Sequence, residues 1–540
     1  MNILLQGSTR SDDVHFSLCS KLYEEYPSAN FGYFSDSIKA LDLFKDSINP
    51  KFKTFKPYHY DQKFDHECNM NLIRDFEEST GANIWKIIYA DRRIGWTDNL
   101  SKYGTFIQKN KRMNQKYLAS EVANYIRGMS EMFIIFKPDI FIPAKAMGGI
   151  DVFIFEALCK KSGVEYLLPD YSRVSNLYTI FENVISLSPE IDKDFYKLMK
   201  ESEIDNFKNG QKLFEDLTVG SNKSASFDKQ YMKTYDLQEI NNIFGSLSLI
   251  IKIFFEMNID VVNFIKQCIR SLNNSNLKLS MIFYKLKISI FLRYLKYSNH
   301  KTVLSKSFGQ LPNDNQKYLY FPLYNIPEYS SNFQSTMWLD IVSIVNTLSI
   351  SIPFDWTIVL KEHPTSLNFN FRDKNFYSKI AKIPNVIFAP VWSDSNKLIS
   401  NAELVFVTVG TSGWEAILKG VPVLSPVANF WDCMKLSRKS SDLENLYEDI
   451  KKTVYDNNQL NKSERDKRLI TFLEALSNNS FPISNPEVFS YYHEGTKDQY
   501  SEQGIELSKG LIAYMKKINI DKSIGDKVFF QSDYLRLRTT

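Results

Sequence analysis

Short runs of hydrophobic residues, each ending in small or polar residues, recur along two stretches of the chain. In the later stretch these runs are rich in β-branched and aromatic residues and lie at 356–360, 386–388, 404–407 and 421–424. Near-continuous hydrophobic strands that alternate with helical segments are typical of a parallel sheet covered on both faces. The pattern therefore predicts an α/β domain, whose ligands would bind at the carboxyl ends of its strands.

The earlier stretch shows the same alternation. A hydrophobic run at 2–5 is followed at once by a polar loop at 7–13 and by a predicted helix over 14–26. Strand, loop and helix in this order open a doubly wound fold. Further on, runs at 140–143 and 165–168 flank a glycine-containing loop and a helix, which makes a βαβ unit. The segment 40–75 shows no clear period, and we expect it to be irregular.

The region between these stretches differs in character. Residues 190–245 are predicted to form polar helices, and 246–300 is hydrophobic and helical, with no Asp or Glu between 261 and 313. Within it, 281–297 mixes aromatic, aliphatic and cationic residues, which suits a helix lying on an anionic membrane surface. The alternative is a pair of core helices whose lysines extend to solvent. We expect peripheral membrane contact through 281–297.

Composition excludes several classes of function. The 540 residues carry a net charge of only +4, whereas a general nucleic-acid binder would show a strongly basic domain. The five cysteines are far apart and form no Cys-x-x-Cys pair, so neither a zinc site nor a disulfide framework is expected. The first residues lack the features of a signal peptide, and no hydrophobic run is long enough to span a membrane. We therefore expect a cytoplasmic location.

The candidate chemistry lies just beyond two of the predicted strands. One strand end carries Lys361-Glu362-His363-Pro364, and the other carries Gly410-Thr411-Ser412-Gly413 before a helix predicted to begin near Trp414. Small residues and free N–H groups at a helix N-terminus suit a phosphate. The alternative is an ordinary strand–turn–helix joint, with a structural histidine. Two such segments after successive strands favour the phosphate site, and Glu415 is placed to reach a ribose hydroxyl.

These motifs support a family resemblance. The segments 361–364, 384–386, 410–416 and 420–423 resemble the C-terminal half of bacterial capsular-polysaccharide biosynthesis proteins. Those proteins are similar to GT-B glycosyltransferases with a His-Pro motif, which include the Kdo and sialic-acid transferases. The segment 320–331, which contains Glu328, resembles the "FPLxxxPE" segment that opens that family's second domain. The resemblance spans roughly 318–432.

The resemblance implies a GT-B fold, in which two Rossmann-like domains face each other across a cleft. We accordingly predict an N-terminal acceptor domain over 1–189, a helical insertion over 190–315, a C-terminal nucleotide-sugar domain over 316–475, and a helical extension over 476–540 that returns to the N-terminal domain. Arg10, Asp12 and Asp13 in the first loop would then face the acceptor. Each could equally be a capping or surface residue.

The implied function is a metal-independent glycosyltransferase with no cofactor beyond its nucleotide-sugar co-substrate. A CMP-linked acid sugar is the favoured donor, although a UDP- or GDP-sugar stays open, and the acceptor would be a capsular or lipopolysaccharide-type glycan or a lipid-linked glycan. The implied donor-site residues are Lys361, His363, Pro364, Gly410, Thr411, Ser412, Gly413 and Glu415, with Arg10 and Glu328 as further cleft residues. The candidate catalytic groups are His363 and one of Asp12, Asp13 and Asp91.

Some alternatives stay open at this point. A CDP-polyol phosphotransferase of the teichoic-acid type would use similar motifs, and a non-catalytic scaffold of polysaccharide assembly would keep the fold without the reaction. Asp91 could instead belong to a local ion pair with Arg92 or Arg93. Lys145 and Arg173, which follow predicted strands, could contact an anionic substrate or be solvated surface residues.

Overall fold

The computed structural model describes residues 1–7, 12–35, 52–55, 65–91, 115–143, 149–201, 204–219, 309–326, 329–363, 372, 374–391, 393–440, 442–484, 497–520 and 527–535. Its strands are β1 (Asn2–Gln6), β2 (Asn30–Phe34), β3 (Phe52–Phe55), β4 (Ile140–Ile142), β5 (Glu165–Tyr166), β6 (Leu168–Tyr171), β7 (Leu177–Phe181), β8 (Tyr318–Pro322), β9 (Thr357–Lys361), β10 (Val386–Ala389), β11 (Leu404–Phe406), β12 (Val423–Ser425), β13 (Ser437–Lys439) and β14 (Ser480–Pro482).

Fifteen α-helices occur in the same described ranges. They are α1 (Asp12–Glu25), α2 (His66–Thr80), α3 (Ile84–Ala90), α4 (Gln115–Phe136), α5 (Ile150–Ser162), α6 (Pro189–Glu201), α7 (Lys208–Val219), α8 (Tyr329–Gln334), α9 (Ile341–Ser349), α10 (Lys374–Ile380), α11 (Ser395–Ser400), α12 (Thr411–Leu418), α13 (Leu446–Gln459), α14 (Lys462–Asn478) and α15 (Lys497–Lys517).

The first sheet is parallel and has the strand order β3-β2-β1-β4-β5. Its strands are hydrophobic on both sides because helices cover both faces. Helices α2 to α5 supply the core on one face, and α1 and α15 supply the core on the other. The chain starts at the centre of the sheet, winds outward to β3, and then crosses back to β4. This is the strand order of a Rossmann-like domain.

The second sheet repeats this topology, with the order β10-β9-β8-β11-β12-β13 and parallel pairing throughout. Helices α9, α10 and α13 pack on one face, and α11, α12 and α14 pack on the other. The direction of winding therefore reverses at β8. The helix that follows β8 and the helix that follows β11 lie on opposite faces, so a crevice opens between the carboxyl ends of these two strands.

The two halves are joined by several contacts. A third, antiparallel sheet pairs β6 and β7 of the first half with β14, which follows α14 of the second half. The ring of Phe153 on α5 stacks on Phe333 of α8, with 4.5 Å between the ring centroids. The backbone carbonyl of Ile185 accepts a hydrogen bond of 2.9 Å from the Gln334 side chain. Both sheets are thus tied together at more than one point.

The C-terminal helix α15 lies against α1 of the first half. Leu507, Leu511 and Met515 share a core with residues of α1, and Lys516 forms an ion pair of 2.5 Å with Glu25. The two helices approach closely at Gly504, where an added Cβ would lie 2.3 Å from the carbonyl oxygen of Val14. The C-terminal segment, which follows the second half, therefore covers part of one face of the first sheet.

The predicted α/β fold class is confirmed, since the described residues form two Rossmann-like units, each with a parallel sheet. The expectation that 40–75 is irregular was wrong for β3 and for α2, which begins at an Asp65 cap. Helices α6 and α7, predicted as part of the insertion, pack against α14 in the core of the second half. Most of the insertion, with the proposed membrane segment 281–297, lies outside the described residues. Among the helices that are described, none is long and hydrophobic enough to cross a membrane.

The close approach at Gly504 gives a test of this packing. We expect Gly504→Ala to destabilise the protein by about 1–3 kcal/mol, because the new methyl group meets backbone atoms of α1 that cannot rotate away. The melting temperature measures the effect, and Glu502→Ala, an exposed change on the same helix, is the control. Equal melting temperatures for the two variants would show that α15 does not pack on α1 in this way.

Candidate functional site

The register of the second sheet sets its strand ends level with one another. Pro322 of β8 pairs with Lys361 of β9, which pairs with Ala389 of β10. On the other side of β8, β11 continues the same edge, since Val405 pairs with Tyr320. The segments that follow β9 and β11 are each next to β8, about 10 Å apart across the sheet. They therefore flank the crevice at the topological switch point.

Helix α12 begins in this crevice with no side-chain cap. Its N-cap is Gly410, which has a φ of 117° and makes no side-chain hydrogen bond. Within the part of the chain that the structure describes, the N–H groups of Thr411, Ser412 and Gly413 donate to no protein atom. Gly410 and Thr411 are exposed. The first turn of the helix thus presents several unused donors, together with the positive end of the helix dipole, to the space above the sheet.

The predicted start of this helix near Trp414 was wrong, because the helix begins at Thr411. A local pattern of Thr, Ser and Gly favours a turn over a helix. The helix forms because Gly413 packs against the second core. A Cβ added there would lie 2.8 Å from the Trp431 ring and 2.9 Å from the Val407 side chain. Gly413 therefore lets the first turn of α12 lie flat on β11 and on Trp431.

Glu415 lies in the second turn of α12 and is half-buried. It is close to Tyr320, a buried residue of the central strand β8. Burial is the main cause that raises the pKa of the Tyr320 phenol above its usual range, and the negative charge of Glu415 raises it further. The carboxylate of Glu415 is thus near the middle of the sheet, on the same face as the unused N–H groups.

On the other side of the crevice, a buried ion pair joins Glu362, just beyond β9, to Arg372. The Glu362 side chain is fully buried, and its carboxylate accepts from the Nε of Arg372 at 2.7 Å. The Arg372 guanidinium also donates to the carbonyl oxygen of Tyr324 at 2.7 Å, just beyond β8. Its charge lies 4.8 Å from the ring centre of Phe376. Glu362, just beyond β9, is therefore linked through Arg372 to the end of β8 and to α10.

Tyr377 completes this cluster. Its hydroxyl donates to Glu362 at 2.9 Å. Burial, together with the charge of Glu362, raises the pKa of Tyr377, which keeps the hydroxyl protonated as a donor. The two oxygens of Glu362 thus accept from Arg372, from Tyr377 and from the backbone N–H of His363 at 3.0 Å. The carboxylate is fully engaged in holding the loop.

His363 is exposed just beyond this anchor, and its backbone is fixed by the hydrogen bond to Glu362. Lys361, the last residue of β9, is buried. Pro364 and Glu328 lie outside the described residues. The structure therefore brings His363 and the first turn of α12 to the same edge of one sheet, on opposite sides of β8.

The candidates in the first half have different surroundings. Asp13 is exposed in the first turn of α1, while Arg10 and the side chain of Asp12 lie outside what the structure describes. Asp91 is fully buried, and its carboxylate accepts a hydrogen bond of 2.8 Å from the N–H of Ile150, the first residue of α5. This contact makes Asp91 a cap for α5 that faces the protein interior, so its surroundings do not suit a base that must meet solvent-borne substrate.

Arg372 and Tyr377 were missed by the sequence reasoning. They follow Glu362 at irregular spacing, across a loop with no hydrophobic period, and nothing in the local sequence marks them as partners of a buried carboxylate. The only available signal was that an acidic residue placed at the end of a buried strand needs a cation or hydrogen-bond donors.

No protein-family model matches the chain, and no curated protein matches it. Solved structures that resemble it include UDP-GlcNAc 2-epimerase from Neisseria meningitidis, with 10% identity, 89% of this chain and 100% of that chain covered, and a TM-score of 0.24. Anabaena Alr3699/HepE in complex with UDP and glucose is 10% identical, with 96% of this chain and 100% of that chain covered and a TM-score of 0.27. The calicheamicin glycosyltransferase CalG4 is 10% identical, with 96% of this chain and 98% of that chain covered and a TM-score of 0.23. The two Rossmann-like units are defined by the strand order of the two parallel sheets.

The buried pair gives a direct test of how the loop is held. We expect Glu362→Ala to lower the free energy of unfolding by about 3–5 kcal/mol, because it leaves the Arg372 charge buried without its partner. Urea unfolding measures the change. Lys317→Ala, which removes an exposed ion pair with Asp355, should have little effect. A small loss for Glu362→Ala would mean that the pair does not anchor the loop.

Proposed function

We propose that this chain is a GT-B glycosyltransferase that binds the phosphate of a nucleotide-sugar donor at the first turn of α12. The observation that carries the proposal is the uncapped start of α12, whose N–H groups have no acceptor among the described residues, at the switch point of a Rossmann-like sheet. Converging N–H groups and the helix dipole favour a phosphate here. The half-buried Glu415 on the same helix would accept a hydrogen bond from a ribose hydroxyl.

The reaction places charge where this site can stabilise it. The acceptor hydroxyl oxygen would attack the anomeric carbon of the donor sugar, and the bond from that carbon to the phosphate oxygen would break. The phosphate leaves with the electron pair, so negative charge grows next to the donors of Thr411, Ser412 and Gly413. Donors that are already oriented need no reorganisation as the charge develops, and the proposal requires no metal ion.

The proton of the acceptor would pass to a base. We propose that this base is the carboxylate of either Asp12 or Asp13, of which Asp13 is exposed on α1. His363 would contact the donor phosphate or the carboxylate of an acid sugar from the β9 side of the crevice. Lys361 and Pro364, which are close to His363 in the sequence, would belong to the same donor site. Arg10 and Glu328 are further proposed residues of the cleft.

The finer parts of the proposal rest on the sequence motifs. They are a CMP-linked acid sugar as donor, and a capsular, lipopolysaccharide-type or lipid-linked glycan as acceptor. A cytoplasmic location with peripheral membrane contact through 281–297 fits a lipid-linked acceptor, since that segment is hydrophobic and basic. The domain roles follow from the same motifs, with acceptor binding in the first half and donor binding in the second.

Thr411→Pro tests the phosphate site. Thr411 is the first helical residue, where proline is well tolerated, so this change removes one N–H donor and leaves the helix intact. We therefore expect a melting temperature close to that of the wild-type protein without ligand. The nucleotide that stabilises the wild-type protein should bind about tenfold more weakly, as expected for one lost hydrogen bond to a charged group. Calorimetry with CMP, CDP, UDP, GDP and CDP-glycerol measures this.

Thr411→Ala is the matched control, because it changes the same side chain and keeps the N–H group. If Thr411→Pro and Thr411→Ala bind nucleotide equally well, the phosphate does not lie on this turn. If none of the five nucleotides binds the wild-type protein, the glycosyltransferase proposal fails. Binding of CDP-glycerol together with transfer of glycerol phosphate would replace it with the polyol phosphotransferase.

His363→Ala tests the opposite side of the crevice. His363 is exposed, and its backbone N–H can donate to Glu362 whatever its side chain, so this change leaves the Glu362 contact in place. Nucleotide-sugar affinity or turnover should fall at least about tenfold, as for the loss of a hydrogen bond to an anionic group. The exposed change Lys382→Ala is the control. Wild-type kinetics in His363→Ala would remove His363 from the site.

A further inference from the structure

The β6–β7 hairpin has a strained tip. Its turn spans 172–176, and within it Arg173 has a φ of 69° and Ser175 has a φ of 53°, both in the left-handed region. The turn is locked by two hydrogen bonds: the Tyr171 hydroxyl donates to the carbonyl of Ser175 at 2.9 Å, and the N–H of Ser172 donates to the carbonyl of Leu177 at 3.0 Å. A bulky residue keeps such a conformation only where its surroundings impose it, and such residues cluster at functional sites.

This tip belongs to the first half of the chain but is seated in the second. Val174 is fully buried and shares a core with Trp414 and Trp431. Val174 therefore holds its neighbour Arg173 against the second half. The Arg173 guanidinium carbon lies 5.7 Å from the ring centre of Phe430, in the segment that follows β12.

Phe430 links this cation to α12. Its ring centroid is 5.5 Å from that of Trp414, the fourth residue of the helix. The neighbouring residue, Trp431, is the one that packs against Gly413 in the first turn. Arg173 thus stands on the same face and at the same edge of the second sheet as the unused N–H groups.

We propose that Arg173 supplies a positive charge from the first half to the donor phosphate bound at α12, an inference that rests on the proposed function. Backbone N–H groups alone contribute only partial charges, whereas a guanidinium adds a full charge and a fork of donors that matches phosphate oxygens. The half-buried position of Arg173 strengthens the attraction relative to water. The phosphate site is then complete only when both halves are in place.

The alternative is that Arg173 only holds the two halves together through Phe430, and Arg173→Gly separates the two roles. Glycine adopts a φ of 69° without strain, so we expect Arg173→Gly to keep the turn of the hairpin. Affinity for the nucleotide that binds best should fall about tenfold, as for one lost charge-assisted hydrogen bond. Its dependence on salt should weaken, since one charge is missing. Arg74→Gln, an exposed change on α2 that also removes one positive charge, is the control.

Full-length variants and calorimetry at low and high salt measure these effects. A lower melting temperature for Arg173→Gly, with the affinity of the Arg74→Gln control, would overturn the role in phosphate binding and leave Arg173 as a structural contact. If Thr411→Pro weakens nucleotide binding and Arg173→Gly does not, this inference fails while the proposed function stands. If the wild-type protein binds no nucleotide, both fail together.

Discussion

The reversal of strand order at β8 is the constraint on which the rest of the site depends. On one side of β8 the chain winds out to β10, and on the other it winds out to β13. The helices that follow β8 and β11 must therefore lie on opposite faces of the sheet. Neither of these two helices covers the space between the strand ends, towards which the start of α12 points.

Packing then fixes what borders that space. On the β11 side, Gly413 has no side chain, so the helix can begin on top of Val407 and Trp431. On the β9 side, Glu362 forms a buried ion pair with Arg372 and accepts a hydrogen bond from the backbone N–H of His363. Both arrangements bury groups that could have faced solvent.

Contacts between the two halves of the chain also affect the surroundings of the site. The β6–β7 hairpin places Val174 in the second core, and α15 brings the end of the chain back to α1. Phe153 and Phe333 stack beside α8, which follows the central strand of the second sheet. The contacts of Val174 and Phe333, unlike that of α15, involve segments that follow strands of the second sheet. Movement of one half relative to the other would therefore alter the site itself.

The sequence predicted those parts that depend on local pattern. The hydrophobic runs that became β1, β9 and β11 were found because strands covered on both faces are almost continuously apolar. The predicted start of α12 was late, because tertiary packing of Gly413 overrides the turn preference of its neighbours. Arg372 could not be predicted, because its partner is ten residues away across a loop without a period. Asp91 followed a buried segment, but its role as the cap of α5 depends on a contact 59 residues away in the chain.

A crystal structure of the protein with its best-binding nucleotide tests the central claim most directly. The account predicts a phosphate whose oxygens lie about 3 Å from the backbone nitrogens of Thr411, Ser412 and Gly413. A nucleotide bound with its phosphate elsewhere, while those N–H groups face only solvent, would contradict it.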